Sequence, residues 1–235
     1  MAGKNNSKSA QARSAQKAVA RARSGQRRGG VLFAGGAAIV VALLVVVIVV
    51  VVNSRGGSDT AAPDLSGPPA TTAVGRDTPP PWPAPADAAG AVRAAGLPML
   101  SAEGTVEHIH AHLDVLIDGR GVEVPGLIGI DQVGGSISPL HTHDTTGVIH
   151  IESPVARVFT LGEFFSEWGV SLTADNIGAL HTGEGKTLRA YVNGHLRPGN
   201  PAALTMNAHD EIALVYGLPQ ASVPVPSSFT FPAGE

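Results

Sequence analysis

The chain has 235 residues, a formal net charge of −3 and no cysteine. Its length allows one or two domains. The lack of cysteine excludes disulfides, thiolate metal ligands and dithiol redox chemistry, and with only three methionines it leaves no basis for a soft Cu(I) site.

The net charge hides two regions of opposite sign. Residues 1–30 carry Lys4, Lys8, Arg13, Lys17, Arg21, Arg23, Arg27 and Arg28 and no acidic residue. Residues 31–52 form an uncharged, valine-rich run from Val31 to Val52. As a helix it would reach about 30 Å, enough to cross a bilayer core. The expected topology is a basic cytoplasmic tail, one transmembrane helix in the lipid bilayer, and the remaining chain outside, since flanking basic residues stay cytoplasmic. A cleaved signal peptide fits less well, because its apolar core spans only about 7–15 residues and Asn53-Ser54-Arg55-Gly56 is a poor cleavage site. No nucleic-acid partner is expected for the basic tail, because no binding fold or interleaved aromatic residue accompanies it.

Residues 53–94 are rich in Pro, Ala, Gly, Ser and Thr and include Pro79-Pro80-Pro81-Trp82-Pro83. They read as an extended linker, with a short helical pattern over 86–97 ended by Gly96 and Pro98. Residues 95–235 then form an extracytoplasmic domain of ordinary single-domain size.

That domain reads as α+β and mostly β. Residues 108–117 alternate, with Ile109, Leu113, Val115 and Ile117 on the apolar face. A turn at 118–121 leads to a partner strand at 122–124, and 127–130 reads as a short strand. Residues 140–143 and 148–152 flank a turn at 144–147 as a second hairpin. Thr160 and Glu163 form a capping box that opens a helix through Phe164, Phe165 and Trp168, with Gly169 as its stop. Strands follow at 188–192 and 211–216. Hairpin, helix and two strands is the order of a β-grasp-like fold, in which the 140–152 hairpin would be an insertion; this implies no activity.

Chemistry concentrates in six of the nine histidines. Alternation puts His108, His110, His112 and Asp114 on one strand face. In the second hairpin, a two- or a four-residue loop gives the same register and sets His141 opposite His150. Opposed residues have Cβ atoms about 5 Å apart, a spacing that lets two imidazoles share one ion. His108, His110, His112, His141, His143 and His150 are therefore the candidate ligands for a divalent metal, Zn or Cu(II). His108, His110 and His112 span about 13 Å along a strand, so they cannot serve one ion equally. Asp114, Asp144 and Glu152 are candidates to orient the imidazoles. His181, His195 and His209 fall in loops or turns and read as surface residues.

Three roles stay open at this level. One is metal binding and handling. Another is a metal-dependent envelope enzyme, with three histidines, an open position for water, and Glu152 or Asp144 as general base. The third is a metal-free interaction module whose histidines titrate near pH 6. No phosphate-binding Gly-rich loop and no Gly-x-Ser-x-Gly elbow occurs.

Three stretches carry a resemblance: Glu107-His-Ile-His-Ala-His-Leu-Asp-Val, Pro139-Leu-His-Thr-His-Asp-Thr-Thr-Gly-Val-Ile-His-Ile-Glu-Ser-Pro154, and Phe159-Thr-Leu-Gly-Glu-Phe-Phe-Ser-Glu-Trp-Gly169. Together the chain over 95–235 resembles an uncharacterised family of actinobacterial membrane-anchored proteins. The resemblance implies a cell-envelope setting and brings no activity with it.

Overall fold

The computed structural model describes residues 64–219 and 224–233. The expected basic tail and transmembrane run lie outside the described residues. What is described is a mostly β domain with two α-helices, α1 (Ala88–Ala94) and α2 (Leu161–Trp168).

The strands are β1 (Glu107–Ile117), β2 (Arg120–Val122), β3 (Ile130–Asp131), β4 (Ser136–Ile137), β5 (Leu140–His141), β6 (Val148–Ser153), β7 (Asn176–Ile177), β8 (Leu180–His181), β9 (Thr187–Val192), β10 (His195–Arg197) and β11 (Glu211–Gly217). Seven of them form one sheet in the order β10-β9-β11-β1-β6-β5, with β2 also paired to β1. β1 runs parallel to β11 and antiparallel to β6.

Alternation explains how the sheet divides its faces. Ala111, Leu113 and Val115 of β1, Ile149 and Ile151 of β6, and Ile212 and Leu214 of β11 enter one apolar core with Phe164, Phe165 and Trp168 of α2. The even-numbered positions of β1 and β6, including His108, His110, His112, His150 and Glu152, take the opposite face. α2 forms where the sequence places it. Thr160 Oγ1 accepts from the Glu163 backbone N–H, the Glu163 carboxylate accepts from the Thr160 N–H, and Gly169 ends the helix at φ 70°, in the left-handed region that glycine tolerates.

Three sequence expectations change. The stretch 127–130 is a turn over residues 126–129, with Leu127 at φ 66° and Gly129 at φ 73°; a left-handed backbone cannot continue a strand. The hairpin at 140–152 is not an appendage, because β6 is the direct neighbour of β1 in the main sheet.

The proline-rich stretch is the third. From Asp64 onward it lies against the domain as a strap, and Leu65, Ala73, Trp82 and Val92 join the core. Trp82 and Trp168 meet edge to face at 5.8 Å, the Trp168 Nε1–H donates to the Trp82 carbonyl at 2.8 Å, and Trp82 is 1% exposed. Arg76 donates to the Gly169 and Trp168 carbonyls at 3.0 and 3.2 Å, satisfying the end of α2 with a cation suited to its dipole. Prolines make a segment extended and deny it internal structure, but they do not stop a buried tryptophan from docking it.

Trp82→Ala in the full chain is expected to destabilise the domain by about 3–5 kcal/mol, as loss of a buried aromatic does. Urea unfolding measures this; a change below about 1 kcal/mol would mean that the strap is peripheral.

Candidate metal centre

The β1–β6 and β5–β6 registers assemble the site. His110 pairs with His150 across β1 and β6, and His141 pairs with the same His150 across β5 and β6. Three imidazoles thus form one row over three strands, with ring centroids 4.6 Å (His110–His150) and 5.1 Å (His141–His150) apart. The hairpin register expected from the loop length is the one observed. One row along, His108 faces Glu152. His143 follows β5, its ring 4.4 Å from His150 and 4.9 Å from His141. The two histidine clusters, which read as separate strand systems in the sequence, form one continuous surface.

Hydrogen bonds fix which nitrogens can take a metal. His141 Nδ1 lies 3.0 Å from the Ser138 carbonyl. A carbonyl only accepts, so the proton sits on Nδ1 and Nε2 keeps its lone pair. That Nε2 is buried and has no hydrogen-bond partner. Ser138 is held in turn, its Oγ accepting from the Leu140 N–H at 3.1 Å and donating to the Glu167 carboxylate. His150 Nδ1 lies 3.1 Å from Glu152 Oε1, which likewise leaves Nε2 as the lone-pair atom. An imidazole oriented by a carbonyl or carboxylate through its far nitrogen is the usual support of a metal ligand. Ligand atoms of His141, His143 and His150 all lie within 4.8 Å of one another, as do those of His108, His110 and Glu152, and those of Glu103, His141 and Glu152. Buried histidine and glutamate groups are therefore positioned to hold a metal ion.

The electrostatics agree with that arrangement. Burial holds His141 neutral and lowers its pKa to about 3; Glu152 opposes this, and His143 and His150 add to it. Burial alone would raise Glu152, but His110, His150 and His141 around it outweigh that and hold its carboxyl well below the usual range. The floor of the site is buried, while His108, His143 and Glu103 form an exposed rim with side chains 50, 44 and 45% accessible.

His112 stands apart from this set. Its Nδ1 lies 2.7 Å from Glu211 Oε2 and its Nε2 lies 2.8 Å from the Thr146 carbonyl. The Thr146 carbonyl only accepts, so Nε2 carries a proton, while Nδ1 shares a proton with the Glu211 carboxyl. Burial opposes a charge on the ring, but Glu211, the Thr146 carbonyl and Asp114 outweigh it and raise the pKa; burial raises Glu211 as well. Phe229 stacks on the ring at 3.8 Å. With Asp114 3.9 Å away, the group leaves His112 no free nitrogen. Asp144 accepts from the Thr146 N–H at 2.8 Å and from its hydroxyl at 2.6 Å, so it shapes the turn rather than an imidazole. Of the three carboxylates expected to orient histidines, Glu152 is the one at the centre.

Sequence reasoning missed Glu103, Ser138 and Glu211. Glu103 reaches the site from the segment preceding β1, Ser138 acts through its backbone carbonyl, and Glu211 meets His112 only through the parallel β1–β11 pairing. None of these contacts has a spacing signature. No protein-family model, curated protein or solved structure matches this chain.

The His141 shift has a pH consequence. Unfolded, His141 binds a proton below its ordinary pKa of 6.5, whereas folded it does so only near 3. The unfolded state therefore holds more protons between those values, and His141 makes stability rise with pH across that window. Metal-free wild type should gain stability relative to His141→Gln from pH 4 to 6.5, with a flat difference above. Urea midpoints in chelator measure it, and a difference independent of pH would show that His141 is not held neutral.

Proposed function

We propose that this protein is a metal-binding protein of the cell envelope. The apolar run 31–52 anchors it to the membrane, the N-terminus is cytoplasmic, and the histidine-rich domain lies outside. Its role is in metal handling. The metal is a divalent first-row ion, Zn²⁺ or Cu²⁺, because the donors are imidazole and carboxylate and no thiolate exists in the chain. The observation that carries the reading is the buried, unpartnered His141 Nε2, which a Ser138 carbonyl aims toward the histidines of β6 and the rim. A buried imidazole nitrogen without a partner is costly, and a metal ion would satisfy it.

Two observations favour binding over the rival roles. The neighbouring imidazoles lower the Glu152 pKa, the opposite direction from the one that brings a general base near the working pH. His141, neutral down to a pKa of about 3, cannot itself be the group that a proton-switched interaction module would titrate near pH 6. A cavity of about 410 Å³ does exist, but it is lined by residues such as Val192, Arg197, Asn200 and Asp210, not by the histidines.

Membrane anchoring rests on the sequence. Among the described residues no helix is long and apolar enough to cross a membrane, and residues 31–52 lie outside them. Strand order supports a β-grasp-like reading of the domain: β1 and β6 are the antiparallel pair, α2 crosses over, and β11 returns parallel to β1 with β9 beside it. The segment between β1 and β6 is then the elaboration, and it carries the Ser138 carbonyl, His141 and His143.

Untagged full-length protein should retain or load at least one tightly held Zn²⁺ or Cu²⁺ per chain, measured by elemental mass spectrometry after dialysis. His141→Ala should weaken binding by more than the roughly 10–100-fold that loss of an outer partner costs, and Glu167→Gln, which touches Ser138 Oγ rather than the imidazole, should cost less than that range. Failure of the untagged chain to hold either ion would refute the reading.

A further inference from the structure

We propose that His108, His110 and Glu152 hold a second divalent cation, joined to the first through the Glu152 carboxylate. This rests on the metal-binding reading above and adds to it a second ion and a bridge.

The number of donors is the starting point. A zinc ion takes four ligands. The surface brings together His141, His143 and His150 as one group and His108, His110 and Glu152 as another, with Glu103 within reach of His141 and Glu152. One ion cannot use them all. The β1–β6 and β5–β6 registers set His110, His150 and His141 in one row and His108 and Glu152 in the next, so His110 and Glu152 stand where the two groups meet.

The distances in the second group have a definite meaning. His108 Nε2 and His110 Nε2 lie 3.6 and 3.7 Å from the same Glu152 Oε1. Those contacts are too long for N–H···O hydrogen bonds, which close at about 2.7–3.2 Å. They approach the edge of a tetrahedron with metal–ligand bonds of about 2.0–2.1 Å, which is about 3.3 Å. Two imidazoles drawn toward one carboxylate oxygen, at ligand–ligand rather than hydrogen-bond spacing, describe an ion's coordination sphere.

Glu152 also belongs to the first site. Its carboxylate lies within the same 4.8 Å limit of His141 and Glu103 as of His108 and His110, and its Oε2 is buried without a hydrogen-bond partner. A carboxylate with one oxygen for each neighbour is the natural bridge of a two-metal site, in which the ions sit about 3.5–4 Å apart. The His150 Nδ1–H contact to Oε1 fits the same scheme, because it orients the bridging carboxylate while leaving His150 Nε2 for the first ion. His108 stands half-exposed on the rim, so the second ion would enter from solvent and exchange more readily.

The test is a Cu²⁺ titration of metal-stripped, untagged full-length protein, read by bound equivalents and by electron paramagnetic resonance. Wild type should bind two equivalents, and their signal should integrate to fewer than two isolated spins because the neighbouring ions couple. His108→Ala/His110→Ala should bind one equivalent with a full, isolated signal. His108→Ala alone, at a half-exposed side chain, should weaken the second equivalent at least tenfold and spare the first. One equivalent in wild type, unchanged in affinity by His108→Ala/His110→Ala, overturns the second site and leaves the metal-binding reading standing. Two magnetically isolated ions overturn the bridge. No bound copper, with the same result for zinc by elemental analysis, overturns both this inference and that reading.

Discussion

A slip of one residue between β1 and β6 would dismantle the candidate metal centre. Side chains alternate along a strand, so such a slip would turn His150 and Glu152 toward the core and Ile149 and Ile151 toward solvent. The register is held by apolar pairing on the opposite face, where Ala111 meets Ile149 and Ile109 meets Ile151. Burying Ile149 and Ile151 contributes about 1.5–3 kcal/mol each. The core therefore positions the site from the opposite face of the sheet. The same pairing that hides the isoleucines sets His110 against His150 and His108 against Glu152.

The polar face concentrates groups that oppose burial. A buried carboxylate is costly unless it is paired, and Glu152 has imidazoles on several sides. A buried imidazole with an idle nitrogen is costly as well, and His141 has one. His112 resolves the same problem differently. Both of its nitrogens are engaged, one by Glu211 on β11 and one by the Thr146 carbonyl, and it serves the sheet rather than the site. Histidines at positions 110 and 112 of one strand thus have different chemistry because their neighbours across the sheet differ: His150 for one, Glu211 for the other.

Local chemistry was legible in the sequence. The Thr160–Glu163 capping box, the Gly169 stop, the alternation of β1 and the His141–His150 register could be read from spacing alone, because each depends on residues close in the chain. Long-range pairing could not. Nothing in the spacing of His110 and His150 says that their strands are neighbours, so the two clusters read as separate. The parallel return of β11, which brings Glu211 to His112, was equally hidden. Composition misled at the strap: the proline content of residues 64–94 suggested a free linker, whereas Trp82 and Arg76 attach that segment to α2 through contacts 86 and 93 residues apart in the chain. At 127–130 a short apolar run resembled a strand, but only Ile128 of that run needs full burial, and a turn achieves it.

X-ray absorption at the metal edge of the zinc-loaded, untagged protein tests the central claim most directly, because it reads the ligands themselves. A histidine-rich centre predicts a first shell of about four nitrogen and oxygen atoms near 2.0–2.1 Å, with outer-shell scattering from several imidazole rings that falls in His141→Ala. A shell of about six oxygens without imidazole scattering, unchanged by His141→Ala, would contradict it.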